Sequence, residues 1–219
     1  MIQDQSIFLF GASGHAKVVI DIIETIKTHN ISFVVDDDVR LQGKKLCGYP
    51  VIGDRNRLLQ ERSSLNVQTG IVAIGTNSDR ARIAKWLTEY DFQMITAIHT
   101  SAQIARGVTI GENTVVMAGT VLNTDSEIGA SVIINTGATV DHDCRIGDFV
   151  HIAPGCHICG NVTVGTMTLL GAGTTVVPGV SIGERSVVGA GSVLLADVPS
   201  NMVVAGVPAR IIRMNSKEI

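Results

Sequence analysis

Two carboxylates flank one histidine in the segment 140–144, which reads VDHDC. A carboxylate next to an imidazole can fix the tautomer of the ring and raise its basicity. Such a histidine can accept a proton near neutral pH. His142 is therefore a candidate general base, and Asp143 is the candidate group that orients it. An isolated pair of this kind is more often a solvent-exposed turn, and that alternative stays open on the pair alone.

The chain contains five further histidines, His15, His29, His99, His151 and His157. His29 falls at a predicted helix end among polar residues, which favours a solvent-exposed side chain. His99 lies where one sequence pattern gives way to another, and a structural role is sufficient to explain it. His15 belongs to a glycine-containing loop that could bind a phosphate or a ribose.

That loop, GASGH at 11–15, joins a predicted strand to a predicted helix. Backbone N–H groups and the positive helix end can receive a phosphate or a ribose at such a junction. The second predicted strand ends in Asp36, Asp37 and Asp38, and the third ends at Gly75. Carboxyl ends of parallel strands meet at one edge of a sheet, so these groups predict a nucleotide site. The loop lacks a complete G-x-G-x-x-G fingerprint, and a tight turn beside a solvated acidic loop is the alternative.

The elements that would carry this site alternate in residues 1–97. Strands are predicted at 6–10, 32–35, 70–74 and 93–98, and helices at 14–29, 54–62 and 78–90. Strands that alternate with helices favour βαβ units and a parallel sheet. The first part of the chain is therefore predicted to be an α/β domain.

From residue 98 onward, an aliphatic side chain recurs at every sixth position. Six residues are too few for a helix-pair repeat, so each unit predicts a short strand and a turn, stacked into a β-helix with one continuous core. Cys144 and Cys156 fall where the repeat places small inward side chains, which favours packing over metal binding for the CxxC pair formed by Cys156 and Cys159. The aliphatic positions are Ile98, Ile104, Ile110, Val116, Leu122, Ile128, Ile134, Val140, Ile146, Ile152, Ile158, Val164, Leu170, Val176, Ile182, Val188 and Leu194.

The composition restricts the class of partner. The net charge of −3 over 219 residues, without a basic run, argues against binding to nucleic acid. No apolar stretch is long enough to predict a membrane span, and the four cysteines form no disulfide framework. We expect a cytoplasmic protein.

The hexads of the form [Ile/Val/Leu]-Gly-x4 resemble those of the bacterial hexapeptide acyltransferases, whose triangular left-handed coils take three hexads per turn. The GASGH loop, the paired aspartates, the AIGTN segment at 73–77 and the link at 98–102 resemble the bacterial sialic-acid-cluster and bacillosamine-pathway acetyltransferases, over essentially the whole chain. This resemblance implies an α/β Rossmann-like nucleotide-sugar-binding domain at 1–97, a left-handed parallel β-helix at 98–199 and a C-terminal cap at 200–219. The left hand rests on the resemblance alone, because crossover statistics favour right-handed connections.

The resemblance also implies an activity, namely acetyl-CoA-dependent N-acetylation of the C4 amine of a UDP-4-amino-4,6-dideoxy sugar. His142 would remove the amine proton and Asp143 would orient His142, with no metal required. Binding of the UDP sugar is implied for Ser13, Gly14, His15, Asp36, Asp37 and Gly75. Binding of acetyl-CoA is implied for Asn135, His151, Gly160, Ala172 and Ala190.

The family builds its site between neighbouring β-helices, so a homotrimer is expected and isolated monomers should be inactive. Two alternatives remain within the fold, O-acetylation of a sialic acid and N-acetylation of a dTDP- or GDP-linked amino sugar. A third alternative, from another class, is a non-catalytic nucleotide-sugar-binding scaffold. Release of CoA thiol with a panel of sugars would discriminate among them.

Overall fold

The computed structural model describes residues 5–216. The chain forms two compact units. Within the described residues, the N-terminal unit consists of residues 5–75 and 79–100, and the C-terminal unit consists of residues 76–78 and 101–216.

The N-terminal unit contains a six-stranded sheet in the order β3-β4-β2-β1-β5-β6. Its strands are parallel except for the antiparallel pair β3 and β4. The strands are β1 (Gln5–Phe10), β2 (His29–Val35), β3 (Lys45–Leu46), β4 (Tyr49–Gly53), β5 (Thr69–Val72) and β6 (Gln93–Met94). The helices are α1 (Gly14–Ile26), α2 (Arg55–Gln60), α3 (Arg62–Leu65) and α4 (Asn77–Glu89), with a 3-10 turn at Val39–Leu41.

The central strand β1 is buried on both faces, since residues 7–10 are at most 1% exposed. A continuous apolar run is typical of a parallel strand covered by helices on both sides. Helix α1 covers part of this sheet with Ala16, Val19, Ile20 and Ile23, which recur at helical spacing and are buried.

The predicted helix at 14–29 is too long. It ends at Ile26 because Lys27 adopts a left-handed conformation, with φ of 54°, and donates its N–H to the Ile23 carbonyl. This arrangement satisfies a carbonyl at the helix end. His29 then begins β2 instead of ending the helix. The predicted strand at 93–98 is also wrong, because the chain forms two short strands there.

Each hexad of the repeat forms a two-residue strand whose second residue is the aliphatic one. A strand pairs in parallel with the strand three further along, as in Val115 with Ile133, so one coil takes three hexads. The strands are β7 (Ala97–Ile98), β8 (Gln103–Ile104), β9 (Thr109–Ile110), β10 (Val115–Val116), β11 (Val121–Leu122), β12 (Glu127–Ile128), β13 (Ile133–Ile134), β14 (Thr139–Val140), β15 (Arg145–Ile146), β16 (His151–Ile152), β17 (His157–Ile158), β18 (Thr163–Val164), β19 (Leu169–Leu170), β20 (Thr175–Val176), β21 (Ser181–Ile182), β22 (Val187–Val188) and β23 (Val193–Leu194).

Three parallel sheets form the faces of the β-helix. We call them sheet I (β10-β13-β16-β19-β22), sheet II (β8-β11-β14-β17-β20-β23) and sheet III (β9-β12-β15-β18-β21). Turns that lead from sheet I to sheet II form edge I/II, and turns that lead from sheet II to sheet III form edge II/III. The strand β24 (Met202–Gly206) continues sheet I beyond β22 and pairs with β25 (Ala209–Met214) in an antiparallel hairpin.

The core of the β-helix alternates large and small side chains. The side chains of Cys144 and Cys156 are fully buried, and their thiols donate to the carbonyls of Cys159 and Gly171, each at 3.1 Å. Burial raises the pKa of both thiols. The prediction that these two cysteines occupy small inward positions is confirmed.

Candidate active site

His142 lies on edge II/III, in the turn between β14 and β15. Its Nδ1 atom is 2.8 Å from Asp143 Oδ2. An ionised carboxylate only accepts hydrogen bonds, so Nδ1–H donates and Nε2 keeps its lone pair. The side chains of His142 and Asp143 are 59% and 62% exposed. The turn therefore presents to solvent an imidazole in the tautomer that a general base needs.

Asp143 also changes the basicity of this ring. The pKa of His142 is raised above its usual value, mainly because Asp143 accepts a hydrogen bond from the imidazole. Desolvation opposes this effect, and the negative charges of Asp141 and Asp143 add to it. A raised pKa makes neutral His142 a stronger proton acceptor.

The backbone of this turn is held by the neighbouring coils. Asn123, one coil earlier, donates from Nδ2 to Asp141 Oδ1 at 2.9 Å, and the same oxygen accepts the His142 N–H at 3.0 Å. One coil later, the Asn161 N–H donates to the His142 carbonyl at 2.9 Å. Asn123 was not predicted from the sequence, although it precedes Asp141 by one full coil of the repeat and that spacing could have identified it.

A second pair of predicted residues lies next to edge I/II, with Asn135 at the start of a turn and His151 on β16 of sheet I. The Asn135 side chain accepts the Thr136 N–H on Oδ1 at 2.8 Å, which turns its Nδ2 towards His151 Nε2 at 3.2 Å. Nε2 of His151 thus accepts a hydrogen bond, and a neutral ring carries its proton on Nδ1. Ala172 and Ala190 lie exposed on the same edge in successive coils, where the Gly191 N–H donates to the Ala172 carbonyl.

The predicted catalytic and acetyl-CoA residues thus form two groups on one chain. Asn135, His151, Ala172 and Ala190 lie on or next to edge I/II, before the chain enters sheet II. His142, Asp143 and Gly160 lie on edge II/III, after the chain leaves sheet II. Gly160 is therefore next to the candidate base His142 and apart from the other residues predicted to bind acetyl-CoA.

The glycine loop of the N-terminal unit is held at the carboxyl edge of its sheet. The Gly11 N–H donates to the Val35 carbonyl at 2.7 Å, and Gly11 has φ of +116°. A Cβ at Gly11 would lie 2.7 Å from the Ala73 carbonyl oxygen, so this turn requires glycine. Asp36 accepts the Ala12 N–H at 2.7 Å and the Asp38 N–H at 2.8 Å, and so joins the loop to the end of β2.

Asp37 pairs with Arg55, whose Nε lies 2.9 Å from Asp37 Oδ2. Burial of Asp37 opposes its ionisation, but the hydrogen bonds from Arg55 outweigh burial and lower the pKa of this carboxyl. The Arg55 guanidinium also lies 5.7 Å from the centre of the Trp86 ring. Arg55 was not predicted from the sequence, because no motif marks an arginine that reaches Asp37 from the first turn of α2.

Arg80 is a second missed residue. It is 1% exposed, and its Nη1 donates to the carbonyls of Ile74 and Gly75 at 3.1 and 2.9 Å. Desolvation lowers the pKa of Arg80 to about 9, so it remains charged at neutral pH. A Cβ at Gly75 would lie 3.9 Å from His15 Cβ, so Arg80 supports a loop that adjoins the glycine loop. The predicted nucleotide residues Ser13, Gly14, His15, Asp36, Asp37 and Gly75 therefore share the carboxyl edge of the sheet.

Three segments of the chain match known sequence families. Residues 6–87 match the PglD N-terminal domain. Residues 161–196 match the bacterial transferase hexapeptide with six repeats, and residues 100–124 match the hexapeptide repeat of succinyl-transferase.

Solved structures resemble the chain over nearly its whole length. A histidine-to-asparagine variant of perosamine N-acetyltransferase from Caulobacter crescentus, in complex with CoA and GDP-perosamine, is 39% identical with a TM-score of 0.91, over 95% of this chain and 97% of that chain. The chain belongs to the hexapeptide-repeat sugar N-acetyltransferases. The acetyltransferase domain of PglB from Neisseria gonorrhoeae is 36% identical with a TM-score of 0.87, over 95% of this chain and 100% of that chain.

A curated member of this sugar N-acetyltransferase family is UDP-N-acetylbacillosamine N-acetyltransferase of Bacillus subtilis, which is 36% identical over 118 residues. The match spans 52% of this chain and 52% of the length of that relative, so it covers about half of each protein. Membership also settles the hand of the coil, because the hexapeptide β-helix is left-handed.

Within residues 5–216, no three His, Cys, Asp or Glu side chains are grouped so as to hold a metal ion, and no helix is long and apolar enough to cross a membrane.

Proposed function

We propose that this sugar N-acetyltransferase transfers the acetyl group of acetyl-CoA to the C4 amine of a UDP-linked 4-amino-4,6-dideoxy sugar. The observation that carries the proposal is the His142–Asp143 pair, which presents an imidazole with a raised pKa on an outer edge of the β-helix. Relatives with this fold hold CoA together with a nucleotide-linked amino sugar, as the C. crescentus structure does with GDP-perosamine.

In the proposed reaction, the neutral C4 amine attacks the carbonyl carbon of the acetyl thioester. Nε2 of His142 accepts the proton that the nitrogen loses as the C–N bond forms, and Asp143 stabilises the resulting imidazolium through Nδ1–H. The tetrahedral intermediate collapses, the C–S bond breaks and CoA leaves as a thiolate. The proton on Nε2 then passes to the sulfur, so the products are the acetamide and CoA-SH.

Asn135 and His151 are proposed to bind the acetyl end of acetyl-CoA. Their mutual hydrogen bond fixes the amide and the ring in one orientation, and fixed donors can stabilise the oxyanion of the intermediate without reorganising. Ala172 and Ala190, exposed on the same edge, leave room for the extended pantetheine chain to run along the β-helix.

The N-terminal unit is proposed to hold the nucleotide. Its glycine loop precedes α1, and the positive end of a helix stabilises a diphosphate. Asp36, Asp37 and the buried cation of Arg80 lie at the same sheet edge, with Ser13, Gly14, His15 and Gly75 as the remaining contacts. The N–H groups at the start of α1 suit the diphosphate, whereas carboxylates at the end of β2 suit the hydroxyl and base N–H donors of the nucleoside.

The enzyme is proposed to act as a homotrimer in the cytoplasm. One chain carries the base on edge II/III and the proposed acetyl-binding pair next to edge I/II, with sheet II between them. Packing edge II/III of one subunit against edge I/II of the next would bring the two groups together. Its cysteines at 47, 144, 156 and 159 are free, which agrees with a reducing compartment.

A GDP-linked amino sugar is the second candidate substrate, because the C. crescentus relative in complex with GDP-perosamine is 39% identical. The test is thiol release from acetyl-CoA with UDP-, dTDP- and GDP-linked 4-amino sugars and with free sialic acid, followed by NMR of the product. We expect the UDP sugar to have the highest kcat/KM and the product to carry a C4 acetamide. A higher kcat/KM for the GDP sugar would show that the substrate carries GDP instead of UDP. Acetylation of sialic acid would indicate O-acetylation. Absence of thiol release with every acceptor would refute the proposed acetyltransferase activity.

A further inference from the structure

Gly160 lies on edge II/III, one coil after His142. A Cβ built on Gly160 would be 2.6 Å from Cε1, 2.7 Å from Nε2 and 3.2 Å from Nδ1 of the His142 ring. These are the three heavy atoms nearest to that position, and all belong to the imidazole. The ring of His142 thus lies directly against the Cα of Gly160, in space that any side chain would occupy.

The β-helix itself does not require glycine at this position. The φ angle of Gly160 is outside the left-handed range, so its backbone conformation is available to alanine. Equivalent turn positions in other coils of edge II/III carry side chains, as at Thr124, His142, Pro178 and Ala196. Apart from its own chain neighbours at 159 and 161, the three atoms nearest to a Cβ at Gly160 all belong to His142, so the histidine excludes that Cβ.

We propose that Gly160 is a positioning residue for the general base. Its bare Cα lets the imidazole of His142 lie at the depth where Nδ1 reaches Asp143 and Nε2 remains available for the substrate amine. This inference rests on the proposed function for its kinetic consequence, but its geometric consequence can be measured in the free protein. It differs from a role of Gly160 in acetyl-CoA binding, which the family resemblance implies.

Alanine at position 160 would displace the ring. Carbon atoms in contact prefer separations of about 3.5–4.0 Å, so a Cβ at 2.6 Å forces the imidazole to move by about 1 Å. A shift of that size lengthens the 2.8 Å hydrogen bond to Asp143 and misplaces Nε2. Misplacing a reacting group by about 1 Å can cost roughly 10²-fold in rate.

The test is the G160A variant, compared with the wild type in steady-state kinetics. We expect kcat to fall by about 10²-fold, with the KM values for acetyl-CoA and for the sugar nucleotide unchanged. C159A, at the preceding residue of the same turn, is the matched control and should keep the wild-type kcat. A wild-type kcat in G160A, or a raised acetyl-CoA KM with unchanged kcat, would overturn the inference.

A second measurement does not depend on activity. NMR titration of His142 in the free protein should show a lower pKa in G160A than in the wild type, because the ring loses its hydrogen bond to Asp143. The charges that act on His142 are those of Asp141 and Asp143, and its coil neighbours Asn123 and Asn161 are neutral. An unchanged His142 pKa in G160A would overturn the geometric claim even if the enzyme had another substrate.

The H142N background separates positioning from general destabilisation. We expect G160A to lower kcat no further in H142N, because the residue through which it acts is already removed. We also expect G160A to lower the unfolding midpoint less in H142A than in the wild type, because the truncated side chain vacates the space. Equal effects in all backgrounds would overturn the proposal, whereas wild-type activity in H142N would instead refute the proposed base.

Discussion

The proposed general base, His142, depends on contacts that two residues make with its ring. Asp143 holds Nδ1 of His142 at 2.8 Å and raises its pKa, and Gly160 leaves the space that the ring occupies. The adjacent pair of His142 and Asp143 is visible in the sequence. The contact with Gly160 is not, because it joins residues one coil apart and depends on the ring's rotamer.

The variant D143N tests the electrostatic role of this carboxylate. Because the pKa of His142 is raised and only the neutral ring accepts a proton, wild-type activity should fall as pH drops through a value above the usual 6.5. Replacing Asp143 removes the acceptor and the charge, so this acidic limb should move to lower pH while kcat decreases. The measurement is the pH profile of kcat/KM.

D125N is the matched control, since Asp125 occupies the equivalent position one coil earlier, beside Thr124 instead of a histidine. It should leave the acidic limb in place. An acidic limb that D143N does not move would show that another group controls the ionisation.

Arg80 supports the proposed nucleotide site from within the N-terminal unit. Arg80→Met would leave the carbonyls of Ile74 and Gly75 without these donors, at a cost of about 1–3 kcal/mol per buried group. We expect a higher KM for the sugar nucleotide and an unchanged KM for acetyl-CoA, with lower stability in urea unfolding. A rise in the acetyl-CoA KM alone would contradict this placement of the nucleotide.

The elements of the C-terminal unit follow from a single period. From Val116 to Leu194 every aliphatic hexad position is buried, and most of the preceding residues are partly or fully exposed, so the repeat was sufficient to predict the β-helix. The N-terminal unit was less predictable at its boundaries. Helix α1 ends at Ile26 because Lys27 adopts a left-handed conformation, for which lysine gives no sequence signal. Arg55 and Arg80 were missed because their partners lie on other elements.

The two residues of β15 give a test of this inward and outward alternation. Ile146 is buried in the core, whereas Arg145 is exposed and lies 3.8 Å from Glu127. Ile146→Ala should lower the free energy of unfolding by about 2–5 kcal/mol. Arg145→Ala should change it by less than about 1 kcal/mol, as is typical for exposed ion pairs. Equal effects in urea unfolding would contradict the assigned faces.

At the scale of the whole molecule, the proposed site is incomplete on one chain. His142 follows sheet II and Asn135 precedes it, so the proposed homotrimer would complete the site with groups from two subunits. Neither the period of the repeat nor the local motifs specify this arrangement. The family resemblance alone predicted it.

Subunit mixing tests the assembly directly. In the proposed homotrimer, H142N subunits lack the proposed base and His151→Ala subunits lack one proposed acetyl-binding residue. Mixed trimers should recover activity at low acetyl-CoA concentration, because one interface joins an intact base to an intact His151. Recovery should accompany a trimeric mass in analytical ultracentrifugation. No recovery after verified exchange of subunits would place the whole site within one chain.

The central claim is that His142 accepts the amine proton, and single-turnover kinetics of H142N test it most directly. We predict that the rate of acetyl transfer falls by about 10²- to 10⁴-fold while both substrates still bind. His157→Asn is the control, since His157 is exposed on sheet II and pairs with Thr139 at 3.0 Å instead of a carboxylate. A wild-type transfer rate in H142N would contradict the account.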